Sequence, residues 1–348
     1  MLSPHMSRVR TVLGDSPDPA VIADAARVLR DGGLVAFPTE TVYGLGARGL
    51  SAEAVAKIFV AKGRPSTHPL ILHVNGEEDA RALILGEVPE HVRALMRAFW
   101  PGPLTLVLKK SARVPSAVTG GGETVALRSP AHPVAQALIR ALGEPIAAPS
   151  ANRYQSISPT TAQHVEKSLG DAVDLILDGG PCASGIESTV LDLSGAVPRV
   201  LRPGALPLAL LRERLPGLSY EANVVASGEG AHLSPGQDAR HYAPRAPVVL
   251  MGPSDDLREQ VCIVSGAWGA ERVGVLARAV FVPMGAEQVV MLPADAEGYG
   301  RALYAALHSM DDAGVAVIVI EGVPGDEAWA GVRDRLQRAS TSHDDGET

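Results

Sequence analysis

The sequence is poor in several features, and each scarcity excludes a class of protein. Its 348 residues include only two cysteines, Cys182 and Cys262. Two cysteines are too few for a disulfide framework or a thiolate metal site. No apolar run reaches the ~18 residues that a membrane-spanning helix needs, and the first ten residues lack the apolar core of a signal peptide. We therefore expect a cytoplasmic protein with reduced cysteines and no membrane contact.

Lysine is also scarce. Only five of the 31 basic residues are lysine, and two of them, Lys57 and Lys62, lie in one short segment. An ammonium group is a compact point charge that a planar guanidinium cannot always replace. The pair therefore indicates positions where lysine is required and arginine would not serve, although two lysines on a solvated helix face would look the same in sequence. The formal net charge of −8 argues against a surface built for phosphate backbones, because Lys and Arg supply non-specific nucleic-acid affinity.

The residues that are present alternate as in an α/β protein. Residues 19–31 have helical apolar spacing and end at Gly32-Gly33, before the strand-like 34–37. Ser51 can cap a helix that runs through Lys62. The same patterns predict further helices and strands: helices over 89–100, 132–142 and 160–169, and strands near 70–74, 105–110, 124–128, 146–148, 174–177, 188–193 and 198–202.

Composition divides the chain into four regions. Residues 1–215 form a mixed α/β domain, and 216–246 are a linker rich in Gly, Ser and Pro. Residues 247–338 alternate buried strand-like runs with helical stretches at 295–310 and 327–338, as in a small doubly wound α/β domain. Residues 339–348 form a polar, flexible tail.

The familiar nucleotide and hydrolase motifs are missing or misplaced. Gly44 to Gly49 match G-x-G-x-x-G, but these glycines do not lie directly between a strand and its helix, as a dinucleotide site requires. There is no P-loop, no H-E-x-x-H and no Ser-His-Asp order. Any ATP must therefore be held differently, and neither covalent catalysis nor a zinc site is indicated.

Four polar clusters carry the functional signal. In Lys62-Gly63-Arg64-Pro65, two cations lie just past a helix end, where they can straddle a polyphosphate or simply complement the helix dipole. The other clusters are Pro149 to Asn152, the glycines 120–122 with Arg128, and Ser188-Thr189 with Arg202. Each alone is ordinary turn and cap chemistry, but together they favour a binding site.

These clusters, in order, resemble a known family. The segments FPTETVYGLG, KGRP, HPLILHV, FWPGPLTLVL, TVALRSPAHP, APSAN, ESTVLDL and VLRPGA are similar to the YrdC-like domain of the threonylcarbamoyl-AMP synthase family, and SPGQDARHYAP resembles the linker of its long form. The resemblance implies an N-terminal YrdC-like mixed α/β twisted-sheet domain, a linker, and a smaller C-terminal Rossmann-like α/β domain.

The resemblance also implies roles for individual residues. The residues expected to be catalytic are Lys62, Arg64, Ser150 and Asn152. Those expected to contact ATP are Arg64, His68, Thr124, Ser150, Ser158, Arg202 and Tyr242. Those expected to contact threonine are Thr41, His73, Arg128, Ala148 and Ser188. His68 stands where the family usually shows Asn. Tyr242 of the linker would close over the nucleotide, so that the linker acts as a lid.

The implied reaction makes threonylcarbamoyl-adenylate and pyrophosphate from L-threonine, bicarbonate and ATP, which classes the enzyme as a nucleotidyltransferase. Mg²⁺ would be carried by the ATP phosphates, with no protein metal ligands. Downstream threonylcarbamoyl-transferase proteins, and tRNA indirectly, would receive the product for N6-threonylcarbamoyladenosine at position 37 of ANN-decoding tRNAs.

Two other interpretations remain open from the sequence. YrdC-like domains can present a basic concave face, so a double-stranded RNA-binding module without ATP turnover is the main alternative, although the acidic net charge opposes it. A carbamoyl-transferring domain of a hydrogenase maturation factor is less favoured, because the acylphosphatase and zinc segments of those chains are missing here.

Overall fold

Two separate β-sheets organise the chain, one of ten strands and one of four among the described residues. The computed structural model describes residues 8–12, 14, 16–221, 240–278, 286 and 288–340. Helices pack on both sheets, so the predicted mixed α/β class is confirmed. In these ranges, no helix is long and apolar enough to cross a bilayer.

The larger sheet takes its strands from the first part of the chain: β1 (Val9–Thr11), β2 (Val35–Phe37), β3 (Gly44–Arg48), β4 (Ile71–His73), β5 (Leu104–Lys109), β6 (Thr124–Arg128), β7 (Ile146–Ala147), β8 (Leu175–Asp178), β9 (Thr189–Asp192) and β10 (Arg199–Arg202). The smaller sheet contains β11 (Val248–Leu250), β12 (Val273–Ala277), β13 (Gln288–Met291) and β14 (Val317–Ile320).

The α-helices, in chain order, are α1 (Pro19–Arg30), α2 (Ala52–Lys62), α3 (Glu77–Arg81), α4 (Glu90–Phe99), α5 (Ser116–Thr119), α6 (Pro133–Leu142), α7 (Ala162–Leu169), α8 (Leu208–Arg214), α9 (Leu257–Trp268), α10 (Ala296–Ala313) and α11 (Ala330–Ser340). Helix α2 begins and ends as predicted. The Ser51 side chain accepts a hydrogen bond from the Ala54 amide, and Gly63 terminates the helix in the left-handed region at φ 65°.

The larger sheet is mixed, in the order β1-β8-β2-β3-β7-β4-β6-β5-β9-β10. Its centre sets the position of the functional residues, because β4 runs parallel to β6 with His73 opposite Arg128. Apolar clusters cover both faces of the sheet. One includes Leu45 and Leu72 with helix α2, and the other includes Phe37 with helices α1 and α6.

Two local expectations need correction. The glycine-rich segment from Gly44 is absent from the predicted strands, yet it forms strand β3 in the interior of the sheet. A Cβ on Gly46 would lie 2.8 Å from Phe37 Cε1 and 2.9 Å from Ile146 Cγ2, so glycine is needed there for packing. Helix α7 begins two residues later than the predicted 160, because Thr161 caps it with a side chain that accepts a hydrogen bond from the His164 amide.

The smaller sheet is entirely parallel, in the order β11-β14-β12-β13. It shares an apolar cluster with the first domain, in which Val42, Ile157 and Ile186 pack with side chains of α10 and α11. Most of the predicted linker and lid, residues 222–239, lies outside the described residues, as does the end of the tail, 341–348. The boundaries drawn from composition therefore stay predictions.

Candidate functional site

Three buried arginines from separate parts of the chain converge on one cavity. Arg64 follows the end of α2, Arg128 ends β6 and Arg202 ends β10, and these side chains are no more than 7% exposed. The cavity is lined by Thr39, Thr41, Val42, Gly44, Arg64, Ile71, His73, Arg128, Ala148, Pro149, Ser150, Glu187, Ser188, Arg202, His241 and Tyr242. Had these arginines pointed to unrelated surfaces, an anion-binding function would have lost its basis.

All five residues predicted to contact threonine line this cavity: Thr41, His73, Arg128, Ala148 and Ser188. The pairing of β4 with β6 brings His73 beside Arg128. Burial, and then the charge of Arg128, lower the pKa of His73 to about 3, so its imidazole is neutral near pH 7. The Ser188 hydroxyl lies 2.7 Å from the Thr105 hydroxyl, which fixes its orientation.

Glu40 is a residue of this region that the sequence interpretation missed. Its Oε1 forms an ion pair with Arg128 Nη2 at 2.7 Å, and its Oε2 accepts a hydrogen bond from the Ala131 amide. Arg128 Nε donates to the carbonyl oxygen of Gly102. The guanidinium is thus held from two sides. Glu40 follows Thr39 in the FPTETVYGLG segment, so its place in that motif was the available signal.

The residues predicted to contact ATP divide into two groups. Arg64, Ser150, Arg202 and Tyr242 line the cavity, whereas His68, Thr124 and Ser158 do not. His68 packs edge-on against Tyr154, whose ring also lies under the Arg64 guanidinium. Thr124 begins the strand that Arg128 ends, which separates the two by roughly 13 Å.

Two of the four predicted catalytic residues, Lys62 and Asn152, also lie outside the cavity lining. The Lys62 ammonium donates to the main-chain oxygens of Ser150, at 2.6 Å, and Asn152. The Asn152 amide donates to the carbonyl oxygens of Arg153 and Ser156. Burial, and then Arg64, lower the pKa of Lys62 well below its usual value. In this arrangement both side chains hold the loop that carries Ser150.

Tyr242 and its neighbour His241 close one side of the cavity, and the sequence interpretation missed His241. Tyr242 has a left-handed backbone, with φ 60°, and its hydroxyl accepts a 3.4 Å contact from Arg202 Nη1. The pKa of His241 lies well below its usual value. Burial is the largest cause, and the charges of four neighbours lower the pKa further: Arg64, Lys62, Arg202 and Arg338. Two of these cations, Arg64 and Arg202, line the cavity together with His241.

Such a cavity is suited to bind an anionic ligand. Converging guanidinium groups match phosphate and carboxylate oxygens, and hydroxyl and main-chain groups fix orientation. Within the described ranges, no three His, Cys, Asp or Glu side chains are grouped so that they would hold a metal ion.

Comparisons with known proteins cover nearly the whole chain. The Sua5_yciO_yrdC family model, described as telomere recombination, matches residues 27–204, and the model for the threonylcarbamoyl-AMP synthase C-terminal domain matches 208–341. Threonylcarbamoyl-AMP synthase of Pyrococcus abyssi (strain GE5 / Orsay) is 43% identical over 319 residues, 91% of this chain and 93% of the relative.

The corresponding protein of Bacillus subtilis (strain 168) is 41% identical over 324 residues, 92% of each chain. The crystal structure of P. abyssi Sua5 complexed with L-threonine superposes with a TM-score of 0.89 at 42% identity, covering 96% of this chain and 98% of that one. The similarity thus extends over both sheets.

Proposed function

The chain belongs to the threonylcarbamoyl-AMP synthase family in its long two-domain form, and we propose that its cavity binds L-threonine beside ATP and makes threonylcarbamoyl-adenylate. The observation that carries this proposal is the convergence of Arg64, Arg128 and Arg202 on one buried cavity. A small zwitterion and a polyphosphate together supply the negative groups that such a cavity needs.

The reaction requires positioning and charge neutralisation. Bicarbonate takes up a proton and splits into carbon dioxide and water, and the threonine amine adds to the carbon dioxide and releases a proton to give the carbamate. A carbamate oxygen then attacks the α-phosphorus of ATP. The bond to the β-phosphate breaks and pyrophosphate leaves in line. No step needs a covalent link to the protein, so fixed dipoles and cations account for the catalysis.

We assign the threonine end of the cavity to the C-terminal ends of the neighbouring strands β4 and β6, where His73 and Arg128 lie. Arg128 has five N–H donors. Its Nε–H bonds to the Gly102 carbonyl oxygen and its Nη2 forms an ion pair with Glu40, which leaves donors for the threonine carboxylate. Ser188 and Thr41 offer hydroxyl groups, and neutral His73 offers an uncharged imidazole. The carbamate would then point towards the nucleotide.

We assign the phosphate end to Arg64 and Arg202, with Ser150 between them and Tyr242 closing the side. Lys62 fixes the Ser150 loop from behind. Mg²⁺ enters as part of the substrate, bound to phosphate oxygens, since oxygen ligands suit it and the nucleotide provides them. Its positive charge would offset phosphate charge during transfer.

The transfer of AMP to the carbamate would make the enzyme a nucleotidyltransferase. Its product is an acyl phosphate that water hydrolyses readily, so a downstream threonylcarbamoyl-transferase would take it up and pass the group to tRNA. RNA binding without ATP turnover is the weaker alternative, because the net charge is −8 and the arginines named above face a buried cavity.

The test is a reconstitution with purified protein, ATP, Mg²⁺, bicarbonate and L-threonine, in which pyrophosphate is measured and the adenylate is identified by mass. Omitting any one substrate should stop both signals together. Pyrophosphate release that does not depend on threonine, or RNA binding with no ATP consumption, would reject the proposal.

A further inference from the structure

Glu187 on the cavity wall is held by side chains of both domains. Its Oε1 accepts a hydrogen bond from Ser158, and its Oε2 accepts from the Tyr304 hydroxyl and from Arg335 Nε, both at 2.9 Å. Tyr304 belongs to α10 and Arg335 to α11, the helices of the smaller sheet. Ser188, the next residue, is a predicted threonine contact.

Arg335 also reaches the linker side of the cavity. It is fully buried, and its Nη1 donates to the main-chain oxygen of Pro203 and to Asp334. Its guanidinium lies over the ring of Tyr242, 5.2 Å from the centroid. One side chain of the second domain therefore contacts two separate walls of the cavity.

Two close main-chain approaches fix this contact. A Cβ on Gly185, which has φ +74°, would lie 2.4 Å from the Arg301 carbonyl oxygen, and one on Gly331 would lie 2.9 Å from the Gly204 oxygen. Both glycines are close in sequence to a member of the network. Their approach brings α10 and α11 against the segments that flank Glu187 and Arg202, so the geometry is set by backbone packing as well as by side chains.

The charges agree with this arrangement. Burial alone would raise the pKa of Glu187, but Arg335 and then Arg202 outweigh that effect and hold it below its usual value. The carboxylate thus stays ionised between two guanidinium groups. Arg202 Nη2 also donates to the Ser188 carbonyl oxygen at 3.0 Å, which links the phosphate end of the cavity to the threonine end.

We propose that Tyr304 and Arg335 are positioning residues for the adenylation reaction, which act through the Glu187 carboxylate to hold the cavity wall that carries Ser188 and Arg202. The inference rests on the proposed function and gives the C-terminal domain a defined task in it. Displacements of about 1 Å in a site can cost ~100-fold in rate, so a second domain that fixes the wall contributes to turnover without touching substrate.

The experiment compares Tyr304→Phe with Tyr299→Phe in the full-length chain. Both tyrosines are fully buried on α10, but the Tyr299 hydroxyl has no hydrogen-bond partner among the described residues. Both variants are assayed at a temperature where circular dichroism shows them folded. We expect Tyr304→Phe to lower kcat/KM at least about tenfold, the order for losing a hydrogen bond to a charged group, and Tyr299→Phe to match the wild type.

A second arm tests whether the effect passes through Glu187. In a Glu187→Gln background, Tyr304→Phe should lower kcat/KM by less than about threefold, because coupled residues are not additive. Equal kcat/KM for folded Tyr304→Phe and Tyr299→Phe would overturn the proposal, and so would full additivity with Glu187→Gln. If Glu187→Gln does not fold, the comparison of kcat/KM between Tyr304→Phe and Tyr299→Phe is sufficient to support or overturn the proposal.

The two proposals fail in different ways. A wild-type chain that releases no pyrophosphate contradicts the proposed function, and this is seen before any variant is compared. In that case calorimetric binding of L-threonine decides the positioning claim, since a displaced Ser188 wall should weaken binding in Tyr304→Phe at least about threefold and leave Tyr299→Phe unchanged. Equal threonine affinities would overturn it.

Discussion

The Arg128 guanidinium forms a buried ion pair with the Glu40 carboxylate, 2.7 Å between Nη2 and Oε1. Arg128 ends strand β6, whereas Glu40 lies in the loop between β2 and β3. The pair orients an arginine that faces the cavity, and it compensates one positive charge before substrate arrives.

Replacing Arg128 should affect threonine far more than ATP. We expect Arg128→Ala to raise the KM for L-threonine at least about tenfold, because a charge-assisted contact to the carboxylate is lost, while the KM for ATP changes little. Initial rates of pyrophosphate release with each substrate varied in turn measure both constants. Equal increases in the two constants would contradict the assignment of Arg128 to threonine.

Glu40→Gln should give a weaker form of the same defect. The amide keeps a contact to the Ala131 region but loses the ion pair that orients Arg128. We expect the KM for threonine to rise by about three- to tenfold, an effect comparable to one intramolecular hydrogen bond, because Arg128 is then oriented by the Gly102 carbonyl oxygen alone. The double variant Arg128→Ala, Glu40→Gln should be no worse than Arg128→Ala alone; a further loss of similar size would show that Glu40 acts independently.

Lys62→Ala should lower kcat at least ~100-fold, because the Ser150 loop loses its anchor and a misplacement of about 1 Å in a site can cost that much in rate. Lys62 anchors the loop of Ser150 through two main-chain oxygens. Lys57 is the matched control, because it lies on the same helix and its ammonium donates to the Gly32 carbonyl oxygen at an exposed position. Single-turnover rates of both alanine variants give the comparison, and near-normal turnover by Lys62→Ala would reject its predicted role.

L-Serine should be a poor but measurable substrate. It differs from threonine by one methyl group, and packing against one methyl group is worth only ~1 to 3 kcal/mol. We expect kcat/KM for serine to be lower by roughly 10- to 200-fold. Competition between the two amino acids, read by adenylate mass, gives this ratio directly. A preference of many thousandfold would require a polar contact that rejects serine, which the proposed geometry does not include.

Stability should fall as the pH decreases below neutrality, in part through the interface of α7 and α10. There His308 stacks on His164, with ring centroids 3.8 Å apart. Burial, and then His164, lower the pKa of His308 to about 3, from about 6.5 in an unfolded chain. The unfolded state therefore binds more protons between these values, so the stabilisation is complete above about pH 6.5 and is lost towards pH 3.

Urea unfolding near pH 7 and near pH 5 checks this. In His308→Gln the loss of stability on acidification should be smaller, by at most about 1.4 kcal/mol per pH unit. His73 and His241, whose pKa values are also lowered, keep part of the dependence in the variant. An unchanged pH dependence would show that His308 does not titrate as the structure implies.

Much of the fold was predictable because local patterns encode it. Helical spacing and the Ser51 cap predicted α2 correctly, and apolar runs located β4, β5 and β6 within a residue or so. Strand β3 was not predictable in this way. Its glycines give no strand signal in sequence, and the segment becomes a strand through pairing with β2 and β7, where Phe37 and Ile146 pack closely against Gly46.

The order of motifs along the chain determined the family, the class of fold and nine of the residues that line the cavity. It did not determine which polar groups from distant parts of the chain form contacts. Glu187 and Arg335 are 148 residues apart and in different domains, and Lys62 reaches a main-chain oxygen 88 residues away. Local sequence specifies helices and strands through short-range periodicity, whereas polar contacts at such separations arise only when sheets and domains pack. The tertiary structure alone therefore decided that a second domain holds the wall of the site.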